Sequence, residues 1–122
     1  MSSAAIRILA ESENYKIVGE YECVSLIFKN SDREVLIGNF YGDPAGAFID
    51  ANEKYCVMYG CGVIVYFINK PFEQYRYCSD TKQWIEYGRE NKNILWVENA
   101  RQVDDKSFII VSENGKSEII KI

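Results

Sequence analysis

The chain has 122 residues, 48% of them hydrophobic and 26% charged, with 18 acidic against 14 basic side chains and no histidine. That length suits one hydrophobic core, and the composition excludes a disordered tail. The missing histidines remove the usual general base and the commonest metal ligand, and a net charge of −4 with scattered basic residues argues against a protein that grips a nucleic-acid backbone.

The opening MSSAAIRILAESE reads as a first strand or one helical turn. It lacks the basic cluster and long apolar run of a signal peptide, so a cytoplasmic location is the expectation. Residues 15–30 alternate in strand fashion and stop at Asn30-Ser31-Asp32, a turn signal, with a return strand over residues 34–40. Proline and two glycines in residues 41–46 make a tight loop before a short strand over 47–50, and Ala51-Asn52-Glu53 turns again.

Residues 54–60 and 63–68 flank Gly60-Cys61-Gly62, a hairpin signature. Both strands are apolar on two faces, Tyr55, Val57 and Tyr59 opposing Cys56 and Met58, which places them at the centre of a sheet. The uncharged stretch from residue 55 to 69 is shorter than the ~20 apolar residues that a membrane-crossing helix needs. Residues 72–90 then mix aromatic and charged side chains around a turn at Ser79-Asp80-Thr81, fitting two edge strands or one strand and a short helix. A strand over 94–103 joins through Asp104-Asp105-Lys106 to residues 108–122, where Asn114-Gly115 marks a hairpin. A two-residue turn there pairs Glu113 with Lys116, Ile110 with Ile119 and Ile109 with Ile120, with apolar pairs on both faces. The expected fold is a single, mainly β domain: antiparallel, about ten short strands, sandwich or propeller-blade-like, with little helix.

Chemistry is sparse along this chain. Cys23, Cys56, Cys61 and Cys78 contain no C-x-x-C pair and read as reduced structural thiols, so neither zinc nor a thiol nucleophile is expected. The glycine-rich loop 38–46 joins two strands instead of opening a helix and lacks the lysine of a P-loop, which argues against a phosphate cradle. Asp43, Asp50 and Glu53 lack the spacing of a calcium loop. With Tyr41, the two aspartates carry an alternative reading, a small ligand-binding or acid-base hydrolytic domain. No cofactor and no metal are expected.

Residues 72–90 point to binding. Tyr75, Tyr77, Trp84 and Tyr87 interleave with Arg76, Lys82 and Arg89, and tyrosine, tryptophan and arginine are the anchor types of protein interfaces. Glu73, Glu86 and Glu90 would steer a basic partner and interrupt any positive strip for nucleic acid. Alternation puts Trp84 and Glu86 on one strand face and Ile85 and Tyr87 on the other, so part of this set must lie at the surface.

A short, acidic, β-rich chain with no catalytic set resembles the small immunity proteins of bacterial polymorphic or contact-dependent toxin systems. The resemblance lies in size, charge and strand content over the whole length. It implies a non-enzymatic cytoplasmic protein that binds one cognate toxin domain, often a nuclease, and blocks its active site or its access to substrate. A further alternative is a self-associating module, since an uncovered edge strand invites a second copy.

Overall fold

The computed structural model describes residues 6–31, 33–77, 80–89 and 94–122. The described chain is antiparallel β throughout, with eleven strands and no helix. The strands are β1 (Ile6–Glu11), β2 (Tyr15–Glu20), β3 (Cys23–Phe28), β4 (Glu34–Asn39), β5 (Gly46–Ile49), β6 (Tyr55–Gly60), β7 (Gly62–Phe67), β8 (Trp84–Tyr87), β9 (Val97–Asp104), β10 (Ser107–Ser112) and β11 (Ser117–Lys121). They form three consecutive meanders, β1-β2-β3-β4, β5-β6-β7-β8 and β9-β10-β11, in which each strand pairs only with its sequence neighbours.

The two-faced apolar strands dictate how the sheets stack. One face of β6 and β7 sends Cys56, Met58, Ile64 and Tyr66 into a core shared with Ile17, Leu26 and Ile37 of the first sheet. The other face sends Tyr55, Val57, Tyr59, Val63 and Val65 against Phe108, Ile110 and Ile120 of the third. Period-two alternation therefore feeds two cores from one sheet, and the second sheet becomes the middle layer. The layers approach most closely at their first strands, β1 against β5 and β9 against β5 and β6. Away from that seam close approaches between layers are few, and the stack opens as a fan. Between the first two layers the wedge is filled by large rings: Trp84 stacks on Tyr66 at 6.2 Å and meets Tyr75 at a tilt at 5.1 Å, and Phe72 meets Phe28 edge-on at 4.9 Å.

Three local expectations change. Residues 15–30 are two strands, because the chain reverses at Tyr21-Glu22 with Tyr21 at φ 56° and Glu20 opposite Cys23. Residues 72–77 form neither strand nor helix; they run along the edge of β4, where Tyr75 N–H donates to Leu36 O at 2.8 Å and Leu36 N–H to Gln74 Oε1 at 2.7 Å. In the last hairpin Ile110 pairs with Glu118, Ile109 with Ile119 and Phe108 with Ile120. Ser112 N–H closes on Lys116 O across a three-residue loop whose last member, Gly115, has φ 84°. That extra loop residue shifts the register by one and turns Ile120 inward and Ile119 outward.

Candidate interaction surface

Residues 72–90 divide between core and surface. Trp84 and Tyr75 are each only 4% exposed and both belong to the first core, with Tyr75 also at the floor of a surface groove. Tyr75 Oη donates to Glu86 Oε1 at 2.9 Å, and burial, with that carboxylate, pushes the phenol's pKa far above its ordinary range. Tyr87 is half-buried against the second core, its pKa also raised by burial. Glu73 is tied to its own segment and to β7: its N–H donates to Gln83 Oε1, its carbonyl accepts from Tyr66 Oη and its carboxylate from the Thr81 hydroxyl. Of the expected anchors, Arg76 and Tyr77 are the exposed ones, and Glu90 lies outside the described residues.

Arg89 is a bolt between layers. Its Nη1 donates to Cys61 O at 2.8 Å and its Nη2 to Asn39 O at 2.7 Å, while the guanidinium lies over the Phe40 ring at 4.8 Å. Nε sits 2.7 Å from Glu86 Oε1, close enough for an ion pair but without hydrogen-bond alignment. One side chain thus joins the end of β4, the β6–β7 apex and β8.

The alternative acidic set is dispersed. Asp43 is exposed before β5 and Asp50 is buried after it, so about 13 Å of strand lies between them. Asp50 accepts from Lys54 N–H at 3.0 Å and from Gln102 Nε2 at 2.5 Å. Glu53 accepts from the Ser12 hydroxyl, from Asn14 N–H at 2.9 Å and from Asn14 Nδ2 at 2.7 Å, contacts that hold its carboxyl below the usual range. Asp50 and Glu53 fasten turns, and no pair of these acids converges for acid-base work. Among the described residues no three Cys, Asp or Glu side chains group to hold a metal ion.

What does converge lies at the end of the fan that holds the β2–β3 turn, the loop 40–45 and the β6–β7 apex. Three shallow grooves run side by side there. The first, 340 Å³, is lined by Glu22, Phe40, Tyr41, Tyr77 and Arg89; the second, 350 Å³, by Tyr41, Asp43, Trp96, Glu98 and Glu113; the third, 310 Å³, by Ile94, Trp96 and Glu113. Tyr41 is the wall between the first two and Trp96 between the last two. Their exposures, 79% for Tyr41, 63% for Tyr77 and 44% for Trp96, are high for such large rings. Tyr41 is held out by the loop below it, where Gly42 N–H donates to Glu22 Oε2 at 2.6 Å and Arg7 Nη2 to Pro44 O at 3.0 Å. Asp43, Glu98 and Glu113 form no ion pair among the described residues. The arrangement offers flat aromatic faces and free carboxylates, which suits cationic side chains.

Trp96 and Tyr41 as anchors were legible only indirectly. Leu95 and Val97 both pack into the second core, so Trp96 between them must point away. A separate hollow of 440 Å³ opens near the opposite ends of these strands, lined by Tyr55, Phe67, Ile68 and Ile122, and its acids, Glu53 and Asp105, share the lining with Lys54 and Lys106. No family model matches the chain, and no curated protein or solved structure is similar to it.

Proposed function

We propose that this protein acts by binding another protein and not by catalysis, as an immunity-type inhibitor that covers a basic toxin domain in the bacterial cytoplasm. The observation that carries the reading is the run of exposed Tyr77, Tyr41 and Trp96 on grooves that also hold Asp43, Glu98 and Glu113, three carboxylates that form no ion pair among the described residues. Exposed aromatic anchors supply contact area at low conformational cost, and a one-signed rim of carboxylates accelerates encounter with an oppositely charged surface. The hydrolytic alternative loses its support with the separation of Asp43 from Asp50.

The test begins with the protein that co-purifies from native cells and measures its affinity for the wild type and for Tyr41→Ala and Trp96→Ala. Each substitution should weaken binding by about 30-fold, corresponding to roughly 2 kcal/mol at a hot spot. Affinity should fall with added salt as the carboxylates are screened. Unchanged affinity in both variants would remove this surface from the reading, and turnover of a substrate by the purified protein would end it.

A further inference from the structure

The fan has two end faces, and among the described residues no further strand covers either. On the first sheet the pairing Ile8↔Val18↔Ser25↔Leu36 runs across the outer face, with Ile6 beside it; Ile6 is 61% exposed and Ile8 59%. On the third sheet the pairing Ile119↔Ile109↔Arg101 runs across the outer face, with Ile119 57% and Val103 55% exposed. Inward neighbours on the same strands, Ile17 and Leu26 in one case and Phe108, Ile110 and Ile120 in the other, are buried. Both end sheets therefore carry exposed apolar residues on the face turned away from their core, Ile6 and Ile8 on the first beside a buried Val18, and Ile119 and Val103 on the third.

The charges on the two faces have opposite sense. Around the first, Glu11 is engaged by Lys29 at 2.6 Å, leaving Glu20 and Glu34 against Lys16. Around the second, Arg101 and Lys121 stand against Asp104. One face is thus net acidic and the other net basic within a single chain, which complements a copy of itself and suppresses pairing of like faces.

We infer that two copies pack the first sheet of each onto the third sheet of the other, continuing the layer-on-layer stacking already present within the chain. A two-fold axis along the seam of first strands makes both contacts at once and closes six sheets into a ring. Closure is what makes the assembly strong enough. The third sheet presents roughly 300 Å² of face, from strands of ~20 Å spaced ~4.8 Å apart, so one contact buries only about 600 Å² in total. Two contacts bury about 1,200 Å², the lower limit for a specific complex. The inference stands apart from the partner-binding reading.

Sedimentation of the full chain over a dilution series tests it. The wild type should be a dimer, and Ile8→Glu and Ile119→Lys should each weaken dimerisation by about 100-fold, because each places a charge in an apolar contact. Both sites are exposed in the single chain, so circular dichroism and the urea midpoint at dilute concentration should match the wild type. Mixing the two variants should restore association, since a mixed dimer keeps one wild-type contact and sets Glu against Lys in the other. A wild type monomeric at all concentrations overturns the inference, as does a dimer indifferent to both substitutions. Sensitivity to Ile8→Glu alone would mean that like sheets pair, and would overturn it equally.

Discussion

Replacing Trp84 with alanine tests whether this tryptophan belongs to the core or to an interface. Trp84 is 4% exposed and contacts the rings of Tyr66 and Tyr75. A buried tryptophan hides on the order of 200 Å², and truncation to the β-carbon gives up roughly 150 Å² of that, or about 4 kcal/mol at ~25 cal/mol per Å². The figure agrees with the 3–5 kcal/mol range that aromatic-to-alanine changes show in well-packed cores. Against a total stability of about 5–15 kcal/mol for a domain, it would leave the fold marginal and lower Tm by roughly 15 °C. Urea melts followed by far-ultraviolet circular dichroism should show the lower midpoint with an unchanged slope. Trp84→Phe retains one ring and should lose less than half as much. A loss below about 1 kcal/mol for the alanine variant would refute the packing described for the first core.

Arg89→Ala strips the ligands from Cys61 O and Asn39 O and leaves Glu86 facing Tyr75 alone, and should cost about 2–3 kcal/mol in the same assay; a melt like the wild type's would show that the bolt carries no load. Gly62→Ala should destabilise by more than about 1 kcal/mol, because Gly62 has φ 83° and a β-carbon there collides with the Arg89 side chain and comes within 2.9 Å of Tyr87 O; an unchanged midpoint would contradict the geometry of the β6–β7 apex. Glu53 has its pKa lowered chiefly by the Ser12 hydroxyl, so its contribution to stability is full above the unfolded value of about 4.3 and is lost as pH falls through the lower folded value. The gap in urea midpoint between wild type and Glu53→Gln should therefore close in acid, and a gap constant with pH would contradict the clamp. Burial pushes the Cys56 thiol far up, so a thiol reagent should modify exposed Cys23 in the native protein and reach Cys56 only on unfolding, as peptide mapping would read; equal rates at the two would place Cys56 wrongly.

The alternation of Tyr55, Val57 and Tyr59 with Cys56 and Met58 was enough to predict a sheet centre, because a strand apolar on both faces is poorly placed at an edge; that a layer lies on each side was seen only in the structure. Turn chemistry located most reversals for the same local reason, glycine, asparagine and proline relieving backbone constraints that other residues feel. Tyr21-Glu22 escaped because neither residue is a usual turn former, and the chain reverses there with Tyr21 in the left-handed region.

The division of aromatic residues between core and surface was not legible locally. Period-two patterning separates Trp84 from Ile85 and Trp96 from Val97, but it does not say which face another layer will cover. That depends on residues distant in sequence: the 72–77 segment lying along β4 brings Tyr75 onto Trp84, and the third sheet takes Leu95 and Val97 and leaves Trp96 outside. Composition and local pattern determined strand content, the two strands at a sheet centre and a chain without histidine. Tertiary packing alone decided which rings remain in water, because burial is a property of the face opposite and not of the strand itself.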